Sequence, residues 1–375
     1  MQFQRIYDHL DLFLKPNKVL ALFGPRQVGK TTLVKNFLAS TRFTYRIDSG
    51  DDIRAQEIYG SRDLKNIVGF VKPYELIIID EAQKIPFIGI GLKLIVDHVP
   101  GIRVIVTGSS SFELSGQIGE PLTGRKITLQ LFPLSHLELK KHHNAYEINQ
   151  KLEEYLIYGK YPEVVVAQQH HEKKNILNEI TGSNLLKDIL ELEKVKNSKI
   201  LLDLLRLLAL QIGHEVSLSE IGRQLQIDTK TVARYLDLFE KSFIIFNLRG
   251  FSRNLRKEVT KKSKYYFYDT GVRNSIIANF NPLNIRNDIG PLWENFLVME
   301  RLKKQSYHNI FSNNYFWRTW DQKEIDFVEE RDGKLFGYEF KWNTKNTKPP
   351  REWSEQYKNS SFEVVTRENY LDFIM

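Results

Sequence analysis

No cysteine occurs in the 375 residues, which excludes a disulfide framework, a thiolate zinc centre and a cysteine nucleophile and fits a reducing cytoplasm. No basic N-terminal segment leads into a long apolar core, so no secretory signal is expected. The most apolar stretch, residues 200–212, carries Asp203, Arg206 and Gln211. It is too short and too charged to span a bilayer and is expected to form a buried amphipathic helix. Internal repeats and low-complexity tracts are absent. Tryptophan is missing from the first 292 residues; Trp293, Trp317, Trp320, Trp342 and Trp353 all follow. What is present in excess is positive charge: 54 Lys and Arg against 46 Asp and Glu, a net charge of +8. That surplus suits either a polyanionic partner or a solvated basic face. An apolar share of 42% and a charged share of 27% are those of a soluble globular chain with room for two or three domains.

Up to about residue 135, short apolar runs alternate with helical patterns. The runs cover residues 19–23, 43–47, 76–79, 102–106 and 127–132, and continuous apolarity of this kind suits parallel strands covered on both faces. The expected organisation is an α/β P-loop domain over residues 1–140, a helical region over 141–212, a winged-helix domain over 213–281 and an α/β domain over 282–375.

The chemistry concentrates first at Gly24-Pro25-Arg26-Gln27-Val28-Gly29-Lys30-Thr31, a complete Walker A pattern between an expected strand and an expected helix. Glycines let backbone N–H groups wrap phosphates, and the helix N-terminus adds its positive dipole. Lys30 would reach the β- and γ-phosphates, the Thr31 hydroxyl would ligate Mg2+, and Thr32 continues the site. The run 76–79 ends in Asp80-Glu81, which assigns Asp80 to the metal through water and Glu81 to polarising the attacking water. A strand between the two motifs and a Glu after the Asp point to the P-loop ATPases with an added central strand. Thr107 and Ser109 end the run 102–106 and serve either as a γ-phosphate sensor or as a plain turn. Arg125 is a candidate arginine finger, acting in cis or from a neighbouring subunit of a homo-oligomer, or a surface arginine.

Several stretches together resemble a known family. They are the loop 24–32, Ile79-Asp80-Glu81-Ala82-Gln83-Lys84-Ile85-Pro86, Thr107-Gly108-Ser109-Ser110-Ser111 and Leu122-Thr123-Gly124-Arg125, with Phe132-Pro133-Leu134-Ser135 and Tyr268-Asp269-Thr270-Gly271. They are similar to the prokaryotic AAA-type ATPases that carry a C-terminal DUF4143 region. The resemblance implies ATP as ligand, a winged-helix segment and a restriction-endonuclease-like C-terminus.

Ser217-Leu218-Ser219-Glu220 has capping-box spacing and opens a helix with Ile221, Leu225 and Ile227 inward. Thr229 is expected to cap a second helix packing through Val232, Tyr235, Leu236 and Phe239. Its outer Lys230 and Arg234 would face a DNA groove, with Arg223 on phosphate. The loop 249–264 carries Arg249, Arg253, Arg256, Lys257, Lys261, Lys262 and Lys264 against one Glu258. Such clustering suits phosphate contacts, though winged helices also serve as protein-packing modules. Beyond residue 282 the order helix, three strands, helix, strand is that of a restriction-endonuclease-like core. Asp326, Glu339 and Lys341 resemble the PD-(D/E)xK pattern without its proline, with Glu339 and Lys341 on one strand face. Asp326 and Glu339, joined by Glu294, would hold Mg2+ while Lys341 orients water. Three readings follow: an ATP-driven nucleic-acid enzyme, a nucleotide-gated regulator or scaffold with an inactive nuclease-like domain, and a P-loop kinase of a small molecule.

Overall fold

The structure, a computed structural model, describes residues 3–109, 122–184, 189, 198–251, 263–319, 321–343 and 347–375. Its first sheet is parallel and holds β1 (Lys18–Phe23), β2 (Tyr45–Ser49), β3 (Leu76–Asp80), β4 (Arg103–Gly108) and β5 (Lys126–Gln130), in the order β2-β3-β4-β1-β5. Side chains of a strand alternate between faces, and both faces are dry along β1, β3 and β4, whereas Tyr45 and Ile47 of the edge strand β2 are exposed. Leu20, Leu22, Ile78 and Ile105 join Leu33, Val34 and Phe37 of α1 (Lys30–Ser40). Val19, Ala21, Ile77, Ile79 and Val104 join the other core, under α2 (Ile53–Gly60), α3 (Leu64–Val71) and α4 (Ile88–His98). The fold is therefore the α/β P-loop architecture expected. The strand inserted between β1 and β3 is β4, while β2 lies at the edge. That placement sets Thr107 between the phosphate loop and Asp80.

Short helices follow: α5 (His136–Leu139), α6 (Ala145–Gln150), α7 (Leu152–Tyr158), α8 (Pro162–Val166), α9 (His170–Glu179) and α10 (Ser198–Leu210). Among the described residues no helix is long and apolar enough to cross a membrane. After β6 (Glu215–Val216) come α11 (Leu218–Leu225) and α12 (Thr229–Lys241). Ser217 caps α11 by accepting from the Glu220 N–H at 3.3 Å. The cap of α12 is Asp228, one residue earlier than the expected Thr229. Its carboxylate reaches both the Thr231 N–H at 2.9 Å and the Thr231 hydroxyl at 2.6 Å, which no hydroxyl at 229 could match.

At the end of α12, burial pushes the Glu240 carboxyl up from an ordinary value near 4.5 to about 7, against one bond from Asn247. Between those values the folded chain holds a proton that the unfolded chain has released. The resulting stability is fully present below pH 4.5 and is lost as the pH rises through about 7. Glu240→Gln, which mimics the protonated form, is expected to be neutral at acid pH and to stabilise by roughly 1–2 kcal/mol at pH 8. Thermal melts at the two pH values check this; equal melting shifts at both would refute it.

Strands β7 (Ile245–Gly250) and β8 (Ser263–Phe267) are antiparallel. Next come α13 (Thr270–Ile276) and α14 (Ile289–Tyr307), then β9 (Asn313–Arg318), β10 (Glu324–Arg331), β11 (Lys334–Phe340), α15 (Arg351–Gln356), β12 (Ser360–Val365) and α16 (Tyr370–Ile374). The junction expected near residue 282 is crossed by a single seven-stranded sheet, β12-β11-β10-β9-β7-β8-β6. Parallel pairing of Arg249 with Tyr315 and Gly250 with Phe316 joins the two halves. Asn295 of α14 strengthens this unit: its amide accepts from the Phe267 N–H at 2.7 Å and donates to the Phe267 carbonyl at 2.9 Å. Asp269 caps α13 through the Gly271 and Val272 N–H groups, so the Tyr268-Asp269-Thr270-Gly271 stretch has a structural role.

Candidate active site

The loop between β1 and α1 is held by its glycines. A Cβ on Gly24 would lie 2.0 Å from the Leu131 carbonyl oxygen, and Gly29 caps α1 at φ +97°, a conformation that disfavours any side chain. The loop's curl brings the Gly24 and Pro25 carbonyls onto the buried Lys30 ammonium, each at 2.8 Å. Thr31, in the first turn of α1, points its hydroxyl at Asp80 Oδ2, 3.1 Å away. On the other side the Thr107 hydroxyl donates to Asp80 Oδ1 and accepts from the Glu81 N–H at 3.2 Å. Glu81 itself sits in the left-handed region at φ +51°, which costs a non-glycine residue about 1 kcal/mol or more. Lys30, Thr31, Asp80, Glu81 and Thr107 thus meet at the carboxyl ends of β1, β3 and β4, where parallel sheets keep their ligand sites. The Thr31 hydroxyl and the Asp80 carboxylate are hard oxygen donors side by side, a set that fits Mg2+.

Gln83 was not assigned from the sequence. Its amide N–H group donates to Glu81 Oε2 at 2.6 Å and to the Ser109 hydroxyl at 3.2 Å, joining the residue after β3 to the residue after β4. A linear pattern could not reveal this bridge, because it depends on the turn after β3. A cavity of about 250 Å³ adjoins the loop, between Gly29, Thr32 and Leu33 on one wall and Phe3, Pro162 and Val166 on the other. Arg5, Asn36 and Glu163 also line it. An apolar slot with few polar groups suits a flat nucleobase.

Arg125 lies elsewhere. Its carbonyl accepts from the Val19 N–H at 2.8 Å, and its guanidinium pairs with Asp97 at 2.6 Å, at the amino end of β1. The phosphate loop leaves the other end of that six-residue strand, about 16 Å away along its length. A finger acting in cis is excluded on that distance.

The C-terminal candidates do converge, but around a lysine. The Lys341 ammonium pairs with Glu339 at 2.6 Å, on the same strand face as expected. Asp326 Oδ2 accepts from the Phe340 N–H at 2.7 Å. Glu294 accepts from Lys264 at 3.1 Å and from the Tyr266 hydroxyl at 2.5 Å, and Lys264 also pairs with Glu324. Burial would lower the Lys264 ammonium, yet Glu294, Glu324 and Asp326 outweigh it and hold its charge. Burial, and then Glu294, pushes Asp326 up to about 7; burial, and then Asp326, pushes Glu339 up to about 7. Among the described residues no three acidic or His side chains are arranged to hold a metal ion. Lys264 lies against Glu294 and Asp326, two of the three carboxylates expected to hold Mg2+. Lys264 is also removed from the expected phosphate-contacting set, being fully buried.

Lys230 and Arg234 are exposed on α12, Arg223 on α11 and Arg249 on β7. Arg253, Arg256, Lys257, Lys261 and Lys262 lie outside the described residues.

A phosphate loop after β1, an Asp-Glu pair at the end of β3 and the polar end of β4 between them are the arrangement of a P-loop NTPase. Family comparisons agree: residues 16–140 match the AAA domain, 149–284 match DUF8612, a domain of unknown function, and 289–371 match DUF4143, another. Residues 16–140 thus resemble the AAA-type P-loop ATPases, and a DUF4143 region follows at 289–371. Relatives include an uncharacterized protein of Mycobacterium tuberculosis, 27% identical over 86% of this chain and 70% of its own. Another, from Methanocaldococcus jannaschii, is 24% identical over 85% of this chain and 74% of its own. Among solved structures, a Walker-type ATPase of Pyrococcus abyssi aligns with a TM-score of 0.47 at 16% identity, covering 74% of this chain and 96% of that one.

Proposed function

We propose that the chain is a Mg2+-dependent ATPase whose nucleotide state is coupled to C-terminal modules that contact nucleic acid. The Thr31 hydroxyl against the Asp80 carboxylate, beside Glu81 and next to the loop that holds Lys30, carries this reading. Lys30 and the first N–H groups of α1 bind the β- and γ-phosphates. Thr31 and Asp80 would hold Mg2+, which supplies neutralising charge between those phosphates. Glu81 takes a proton from the attacking water as its oxygen bonds to the γ-phosphorus and the bond to the ADP oxygen breaks. Gln83 fixes one Glu81 oxygen and the Ser109 hydroxyl in a common frame, so Ser109 and Thr107 can register the γ-phosphate. The slot beside Thr32 takes the adenine. A role for Arg125 requires a second subunit.

Exposed Lys230, Arg234, Arg223 and Arg249, continued by the basic residues of 252–262, support phosphate contacts from the winged-helix part. Those contacts should weaken steeply with salt. One observation favours the second reading, a nucleotide-gated regulator without cleavage: the Lys264 ammonium among Glu294, Glu324 and Asp326. Phosphate release from ATP in Mg2+ or EDTA, with and without duplex DNA, separates the readings. Turnover is expected to require Mg2+ and to rise at least about threefold with DNA at low salt. Equal rates in EDTA would sink the metal role. A rate indifferent to DNA would sink the nucleic-acid part.

A further inference from the structure

Arg5 precedes the segment that matches the AAA domain, yet its guanidinium is buried against the phosphate loop. It donates in three directions: Nη1 to the Val28 carbonyl, Nη2 to the Phe132 carbonyl at 2.7 Å, and Nε to Glu138 Oε1 at 2.7 Å. Val28 is the loop residue before Gly29, so the guanidinium grips the loop from behind. Only a planar fork with five donors can satisfy three such acceptors at once. Water cannot replace these bonds, because all three are buried, and breaking one strands a polar group.

Two of the acceptors lead on to α14. The Phe132 N–H donates to the Tyr307 hydroxyl at 3.3 Å, and the Tyr307 ring packs edge-on against both Phe132 and Tyr7. Glu138 Oε2 accepts from the Ser135 N–H and hydroxyl, each at 2.9 Å. The adjoining peptide N–H, of His136, donates to Glu300 Oε2 at 2.7 Å. Glu300 Oε1 is in turn paired with Lys160 at 2.6 Å and Lys303 at 2.7 Å. Glu300, Lys303 and Tyr307 lie on α14, the helix that also carries Glu294 and Trp293.

We propose that Arg5 is a positioning residue for the phosphate loop, and that the paths Arg5–Phe132–Tyr307 and Arg5–Glu138–Ser135–His136–Glu300 carry the loop's state to α14. The proposal rests on the ATPase reading. When phosphates bind, the loop carbonyls give up Lys30, and the Val28 carbonyl shifts with the loop. The guanidinium must follow it, and each path is packed tightly enough to transmit the shift.

The five tryptophans all lie at residue 293 or beyond, so tryptophan emission, excited selectively over tyrosine, reports the C-terminal part alone. ATP is expected to change that emission in the wild type. Arg5→Lys keeps a charge opposite Glu138 but cannot hold three acceptors. It is expected to raise the KM for ATP about tenfold with kcat within about threefold, and to lose the emission change even at saturating ATP. A merely structural role would not remove the response at saturation. Tyr307→Phe keeps the ring packing and loses one hydroxyl, so its KM should match the wild type while the emission change falls by at least about half. An unchanged KM in Arg5→Lys, or an undiminished response in either variant, overturns the proposal. So does a wild type that hydrolyses ATP with no emission change. A wild type that hydrolyses no ATP defeats the ATPase reading instead.

Discussion

Lys30→Ala is expected to lower ATP affinity at least about a hundredfold, or about 2.7 kcal/mol, and to abolish turnover. The ammonium is buried, and in the free loop it is held by two neutral carbonyls at 2.8 Å. Phosphate oxygens are stronger acceptors, since hydrogen bonds between charged partners contribute roughly 1.5–3 kcal/mol each. The variant loses that difference and leaves phosphate charge unmatched in a partly dry site. Its fold should suffer little: the two orphaned carbonyls belong to a loop, and α1 keeps its apolar face on Leu33, Val34 and Phe37. Titration with a fluorescent ATP analogue, beside circular dichroism, checks both halves. Unchanged affinity in a folded Lys30→Ala chain would remove the loop from the site.

Glu81→Gln is expected to separate binding from hydrolysis. General-base assistance contributes roughly 10²–10⁴ in rate, so kcat should drop by about that factor. Binding should hold within about threefold, because Lys30, Thr31 and Asp80 are untouched and only one proton acceptor is gone. The amide can still meet Gln83, whose N–H group now donates to Glu81 Oε2 at 2.6 Å, so the left-handed turn at residue 81 need not relax. Rapid-quench measurement of phosphate release next to equilibrium binding makes the split visible. A loss of binding equal to the loss of rate would mean that Glu81 shapes the loop and is not the base.

The parallel sheet was legible because strands dry on both faces need continuous apolar runs, and the run 76–79 is dry on both. The phosphate loop was legible because the chemistry demands glycines at fixed spacing from Lys30. Other features depended on distance through the fold. Arg5 lies 133 residues from Glu138, its ion-pair partner. No local pattern marks such a pair. Lys264 read as one of seven basic residues in a loop, because strand β8 and its buried face cannot be separated by composition. Arg125 looked like a finger from its place after Gly124. The parallel register of β5 on β1 instead carries it to the far end of the sheet. The Asp228 cap was missed by one residue, since Asp and Thr both favour that position and only the reach to Thr231 decides between them.

The most direct test of the central claim is steady-state phosphate release from ATP in Mg2+ by the wild type and by Lys30→Ala. The expected result is Mg2+-dependent turnover by the wild type and none above background by the variant. Wild-type protein that binds ATP but releases no phosphate, or a variant that turns over ATP at the wild-type rate, would contradict it.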